Sequence, residues 1–286
     1  MTSGDYLPPK RPPTQRGHLE RLVNQYGRSR GIAVDRVRRR LSVVTLIGAL
    51  DRVREDDRPR FLIKGGISME LRLGLAARAT KDVDVVFRGD PSGLVDALDE
   101  AFAQPYSGFE FRRKSELEPI RETGSHRFDV QVSFHGKSWE TIQVEAAPPD
   151  ADEAEIITVA ISLADFSLDG PDRIACLSVR YQIAQKLHAV TETPADGRTN
   201  LRHWDLIDLI LLRTLAPDDL AGVRAACSEV FEARATHPWP PMLDVVDLWR
   251  EPYLADVERM GVDLPADVDQ AADEVRRFIA EIDHAR

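Results

Sequence analysis

Cysteine is almost missing from this sequence. Cys176 and Cys227 are the two in 286 residues, far apart and with no CxxC or Cys/His spacing beside either. That excludes a disulfide framework or zinc cluster and fits a reducing compartment. Both read as small buried hydrophobes. Long apolar runs are missing too. Leu206–Leu212 is interrupted by Asp208, and no stretch reaches membrane-spanning length. The opening MTSGDYLPPKRPPTQRG is polar and proline-rich with no apolar core, so it reads as a flexible leader, not a secretory signal. A cytoplasmic protein is expected. No GxSxG, HExxH or GxxxxGK[ST] occurs, which leaves serine hydrolase, zincin and P-loop chemistry without support.

Lysine is scarce as well, with six against 32 arginines, and three of the six (Lys64, Lys81 and Lys186) fall in the motifs described below. An ammonium meets phosphate as a compact point charge where a guanidinium offers a fork, so such retention points to a chemical need. The net charge of −10 argues against a polyanion partner, but it is unevenly placed. Residues 1–40 carry ten Lys/Arg against Asp5, Glu20 and Asp35, a balance of +7, whereas residues 214–286 stand at −9. On charge alone the Arg36, Arg38, Arg39, Arg40 stripe reads as a solvated helix face. A basic arm on an acidic body can still meet a polyanion locally, because surface fields decay within a Debye length.

Apolar periodicity predicts helices at Leu19–Tyr26 and Val34–Val53. Arg60–Lys64 reads as a strand ending in Gly65-Gly66, followed by a helix at Ile67–Leu73. Asp82–Phe87 (DVDVVF) alternates acid and apolar residues as a strand does, and Leu94–Phe102 is helical. Phe128–Phe134, Thr141–Ala146 and Ile156–Ile161 complete an expected mixed sheet of about five strands. Beyond Asp172 helices take over, at Ile174–Val190, Leu201–Leu215, Leu220–Ala235 and Val268–Ile282. The expected division is leader 1–17, N-terminal helices 18–57, an α/β core 58–170 and a helical domain 171–286, with the break at Gly170-Pro171.

A strand ending in two glycines before a helix suits phosphate. The glycines admit close backbone approach, and the helix N-terminus offers free N–H groups and a positive dipole end. Alone, Gly65-Gly66 is equally a tight turn. Residues two apart on a strand project together, so Asp82 and Asp84 share a face, and a divalent cation between them would relieve their repulsion. Alone, DxD is equally a charged edge strand. On the Leu201–Leu212 helix, Asp205 and Asp208 share the apolar side and need partners, for which Lys186 and Arg202 are the candidates. His126, His188 and His203 show no ligand spacing and read as surface or packing residues.

The stretch KGGISMELRLGLAARATKDVDVVF resembles the polymerase-β-like nucleotidyltransferase superfamily, and within it the AbiEii/AbiGii toxins of type IV toxin–antitoxin systems. Lys64, Gly65, Gly66, Arg78, Thr80, Asp82 and Asp84 match that branch in order and spacing, as do Lys186 in AQKLHAVTE and Arg202, Asp205 and Asp208 in NLRHWDLIDL. The resemblance covers residues 60–215. It implies an α+β fold, a mixed-sheet polymerase-β-like core carrying N-terminal helices and a C-terminal helical domain. The implied reaction is Mg²⁺- or Mn²⁺-dependent transfer of a nucleotide from an NTP, releasing pyrophosphate, to an RNA acceptor at the 3′ end of tRNA. The tRNA so modified blocks translation, and a separate antitoxin protein restrains the enzyme. Asp82, Asp84 and a third carboxylate would hold the metal; Glu145 is the choice, since Thr141, Gln143 and Glu145 share a strand face, with Asp129 the competitor. Lys64, Gly65, Gly66, Ser68, Arg78, Thr80, Arg202 and Asp205 would bind the nucleotide. Lys186, oriented by Asp208, would neutralise its charge. With an RNA acceptor, the arginine stripe becomes an expected RNA-binding arm. The rivals are a related enzyme modifying a protein hydroxyl or a small molecule, and a non-catalytic nucleotide binder.

Overall fold

Glycine sets the first corner of the chain. In this computed structural model, which describes residues 6–74, 77–78, 80–121, 123–149, 152–159, 162–194, 197–216 and 218–285, helix α1 (Arg16–Arg30) ends at Gly31. Gly31 takes a left-handed φ of 65°, and the Ile32 amide donates back to the Gly27 carbonyl at 2.8 Å. The first five leader residues lie outside the described residues, as do Leu75, Ala76 and Ala79 of the glycine-to-acid stretch. Ala195 and Asp196, and the Ala160-Ile161 end of the expected strand Ile156–Ile161, lie outside them too. The chain divides into two compact units. One comprises Met1–Gly74, Ala79–Pro149 and Ile156–Cys176, the other Leu75–Arg78, Asp150–Glu155 and Leu177–Arg286.

In the first unit α2 (Val34–Leu50) leads into a small hairpin, β1 (Arg54–Glu55) and β2 (Arg58–Pro59). The main sheet uses β3 (Phe61–Lys64), β4 (Asp82–Phe87), β5 (Phe109–Arg113), β6 (Glu118–Ile120), β7 (Ser125–Phe134), β8 (Lys137–Ala147), β9 (Ala154–Thr158) and β10 (Arg173–Leu177). Helices α3 (Gly65–Leu73) and α4 (Leu94–Phe102) lie between its early strands. The sheet order is β5-β7-β8-β4-β3-β10-β9, with β6 on β7. Parallel pairs β4–β8 and β10–β3 beside antiparallel neighbours make it mixed. Ile63, Val83, Val85, Phe128, Val130, Ile142 and Val144 point to one side, into a core shared with α1, α2 and α4.

Three expectations need correcting. Among the described residues the sheet has eight strands, not about five. The helix expected at Ile174–Val190 splits, because RIACL pairs parallel with β3 as β10 and helix begins only at Val179. A four-residue apolar run such as Ile174–Leu177 is ambiguous until its sheet neighbour is known. The leader is also tethered over its described part. Tyr6 packs edge-on against Tyr26 with ring centroids 5.1 Å apart and donates to the Asp165 carbonyl at 2.7 Å.

The arginine stripe faces the protein's own acids rather than open solvent. Arg36 bonds Glu70 at 3.1 Å, Arg39 bonds Glu140 at 3.2 Å, and buried Arg40 donates to the Glu70 carbonyl at 3.0 Å. Arg38 lies over the Trp139 ring, 4.3 Å from its centroid, and donates to the Trp139 carbonyl at 2.7 Å. These four side chains fasten α2 to α3 and β8, so the expected RNA-binding role does not carry over to them. Charge reversal at all four should therefore unfold the first unit, because the new carboxylates meet Glu20, Glu70 and Glu140, and breaking a buried pair such as Arg40–Glu70 costs about 3–5 kcal/mol. Chemical denaturation tests this; an unchanged midpoint for the reversed protein would return the stripe to the surface.

The second unit is helical. It contains α5 (Val179–Thr191), α6 (His203–Arg213), α7 (Leu220–Arg234), α8 (Arg250–Met260) and α9 (Val268–His284). Asp267 caps α9 by accepting from the Gln270 amide at 2.9 Å, and the helix buries Val268, Ala271, Ala272, Val275, Phe278, Ile279 and Ile282. That spacing is the 3.6-residue repeat legible in the sequence. Helix α8 carries no such repeat, with Tyr253 as its one buried residue and Pro252 in its first turn.

Candidate active site

The polar side of the first unit's sheet is organised by register. Antiparallel pairing sets Lys64 of β3 opposite Asp84 of β4, and parallel pairing sets Asp84 opposite Glu145 of β8. Antiparallel pairing then sets Glu145 opposite Arg127 of β7. One row thus reads Lys64, Asp84, Glu145, Arg127. The neighbouring row reads Asp82, Gln143, Asp129. Directly paired residues project to the same face, so both rows line the side away from the core. The alternation of β4 and β8 follows suit, with Val83, Val85, Ile142 and Val144 buried while Asp82, Asp84, Gln143 and Glu145 are not. Glu145 stands one strand from Asp84, whereas Asp129 is two strands from Asp82.

The glycine turn abuts this face. Lys64 caps α3 in extended conformation, and Gly65 follows with a φ of 64°. A Cβ on Gly65 would lie 2.2 Å from Asp84 Oδ2, and one on Gly66 would lie 2.9 Å from Thr80 Cβ. The missing methyl groups let the first turn of α3 lie against Asp84 and Thr80. Gly65→Ala should therefore fold less stably by about 1–3 kcal/mol and lose activity by about 10²-fold, because it displaces Asp84. Steady-state kinetics on the folded fraction measures the second effect; wild-type turnover would mean that Asp84 and the turn do not cooperate.

Thr80 donates weakly to the Asp82 carbonyl at 3.5 Å, just before β4 begins. Ser68 is fully buried within α3.

The oxygens of Asp82 and Asp84, with Glu145 in register beside them, are the hard donors that magnesium or manganese takes, and Gly65 leaves the space open. The donor set fits a divalent cation. Among the described residues, however, no group of three or more His, Cys, Asp or Glu side chains is already gathered as a metal cluster. Glu145 is engaged elsewhere, its Oε2 accepting from Arg127 at 3.0 Å. Arg127 is the residue sequence reading misses at this face.

In the second unit a buried ion cluster joins α5 to α6. Lys186 Nζ donates to Asp205 Oδ1 at 2.7 Å and to Asp208 Oδ2 at 2.6 Å. Arg202 Nε donates to Asp205 Oδ2 at 2.5 Å, and Arg78 Nε reaches Asp208 Oδ2 at 3.4 Å. Both aspartates have no exposure, as their apolar-side spacing requires, and Lys186 and Arg202 are among the partners that spacing called for. Burial pulls the Lys186 pKa down, but Asp205 and Asp208 outweigh it and leave the ammonium above its ordinary value. Burial likewise pushes Asp205 up, and Lys186 and Arg202 outweigh that to hold it below the usual carboxylate range. Lys186 is a fixed cation throughout the neutral range. Asp208 Oδ1 is buried with no hydrogen-bond partner. His203 bonds Asp256 at 3.0 Å and His188 packs on Phe231, so neither histidine belongs to this cluster.

A mixed sheet carrying a glycine turn against paired strand acids, followed by helices, is the architecture of a nucleotidyltransferase. The sequence matches the family described as nucleotidyl transferase AbiEii toxin, type IV TA system, over residues 48–274. The chain belongs to this family of nucleotidyltransferase toxins. The structure is similar to the MenT4 nucleotidyltransferase toxin of Mycobacterium tuberculosis H37Rv, with a TM-score of 0.52 and 19% identity, covering 92% of this chain and 98% of that one. A weaker likeness, with a TM-score of 0.37 and 21% identity over 68% of this chain and 94% of the other, is to the antibiotic-resistance factor ANT(2'')-Ia. No curated protein matches in sequence. Among the described residues no helix is long and apolar enough to cross a membrane.

Proposed function

We propose that this toxin transfers a nucleotide from an NTP to the 3′ end of tRNA in the cytoplasm, which blocks aminoacylation and arrests growth until its antitoxin intervenes. The observation that carries this reading is the contact between Gly65 and Asp84, where only a missing side chain lets the phosphate-binding turn meet the acid face. In the reaction an acceptor hydroxyl attacks the α-phosphorus in line, the bond to pyrophosphate breaks, and the hydroxyl proton leaves to water. Gly65, Gly66 and the first N–H groups of α3 hold the β- and γ-phosphates, with Lys64 as their point charge. Thr80 supplies a hydroxyl at the same turn. Asp82, Asp84 and Glu145 would hold one or two Mg²⁺ ions, which supply charge neutralisation at the attacking and leaving oxygens when bound. The family resemblance extends the nucleotide-binding set to Lys186, Arg78, Arg202 and Asp205. Asp208 keeps Lys186 oriented and charged.

Incubating the purified protein with Mg²⁺ and each α-labelled NTP in a whole-cell extract tests the acceptor. Label in RNA of tRNA size, released by 3′-end digestion, is expected. Label in protein or in a small molecule would replace the tRNA reading with one of its rivals.

A further inference from the structure

Arg127 projects from β7 onto the polar face of the sheet and carries the Arg127–Glu145 ion pair at 3.0 Å. The pair sits in the same cross-strand row as Asp84, and it is open to solvent, with Arg127 46% and Glu145 24% exposed. A carboxylate that accepts from a guanidinium has less capacity left for a cation, and the guanidinium charge also repels that cation.

We infer that Arg127 is a positioning residue that competes with the divalent metal for Glu145, holding that carboxylate aside until metal and nucleotide arrive together. The inference rests on the proposed reading of Asp82, Asp84 and Glu145 as the metal-holding set. On binding, the Glu145 oxygen exchanges its N–H···O bond for the metal, and Arg127 turns to solvent or to a phosphate oxygen of the incoming nucleotide. No covalent bond changes. The exchange makes the metal bind weakly alone and better with its nucleotide, since the triphosphate gives the displaced guanidinium a new partner.

The test is calorimetric titration of Mn²⁺ into the full chain without nucleotide. Arg127→Gln should bind Mn²⁺ about fivefold more tightly than wild type, the scale of one solvent-exposed ion pair. Arg127→Lys, which keeps the charge, should stay near wild type. Glu145→Gln added to Arg127→Gln should abolish the gain, and the Mn²⁺ concentration for half-maximal transfer should fall with the affinity change in Arg127→Gln. Equal or weaker Mn²⁺ binding by Arg127→Gln would overturn the inference, as would a gain that persists without Glu145. Asp82→Asn separates the two layers. If it binds Mn²⁺ as wild type does, the metal-site reading itself fails, whatever Arg127 does.

Discussion

Alanine at Asp82 or Asp84 abolishes nucleotide transfer, by about 10³-fold or more, and growth arrest on expression disappears with it. The expectation follows from where each side chain lies. Asp82 is exposed and Asp84 half-buried, on the face of β4 turned away from the core. The strand is held by Val83, Val85, Val86 and Phe87 and by pairing with β3 and β8, none of which uses a carboxylate. Removing Asp82, the exposed acid, should leave the unfolding transition close to wild type while removing a proposed metal ligand. Full toxicity from a well-folded Asp82→Ala protein would sink the mechanism.

The second large effect lies in the buried cluster of the second unit. Lys186→Met leaves Asp205 and Asp208 without their shared ammonium at zero exposure, and breaking such a pair costs about 3–5 kcal/mol. Lys186→Met and Asp208→Asn should each lose activity by about 10²-fold or more, and the double variant should be scarcely worse, because residues acting as a unit are not additive. Rate losses that multiply would show the two acting separately. The pH dependence has a defined sign. The Asp205 pKa is depressed, so its stabilisation is complete above about 4 and is lost as pH falls through the folded value. The Lys186 pKa is raised, so its stabilisation is complete below about 10.4 and is lost as pH rises through the folded value. Between those limits the intact cluster adds no slope, so Lys186 and Asp205 should contribute no pH dependence to denaturation of the wild type measured from pH 5 to 9.

What the sequence makes legible is local. The alternation in DVDVVF places Asp82 and Asp84 together, Thr141, Gln143 and Glu145 do share a face, and the helical spacing of Asp205 and Asp208 names Lys186 and Arg202 as their partners. What it hides depends on register and on tertiary partners. The β7–β8 hairpin pairs Phe134 with Lys137 and Ser133 with Ser138, then slips by one residue between Val132 and Ser133. That bulge brings Arg127 opposite Glu145 and Asp129 opposite Gln143. Counted from the turn without it, Glu145 would face His126, and the polar faces of the two strands would not meet. The arginines of α2 mislead for a related reason. Their charge is plain in the sequence, but Glu70, Glu140 and Trp139 answer it from α3 and β8.

The most direct measurement of nucleotidyl transfer at the Asp82–Asp84 face is product stoichiometry. Purified protein is given labelled NTP, Mg²⁺ and total RNA, and pyrophosphate and incorporated nucleotide are counted in the same reaction, with Asp82→Asn alongside. One pyrophosphate per nucleotide incorporated is predicted for wild type, with neither product formed by the variant. Orthophosphate with a nucleoside diphosphate in place of pyrophosphate, or undiminished transfer by Asp82→Asn, would contradict it.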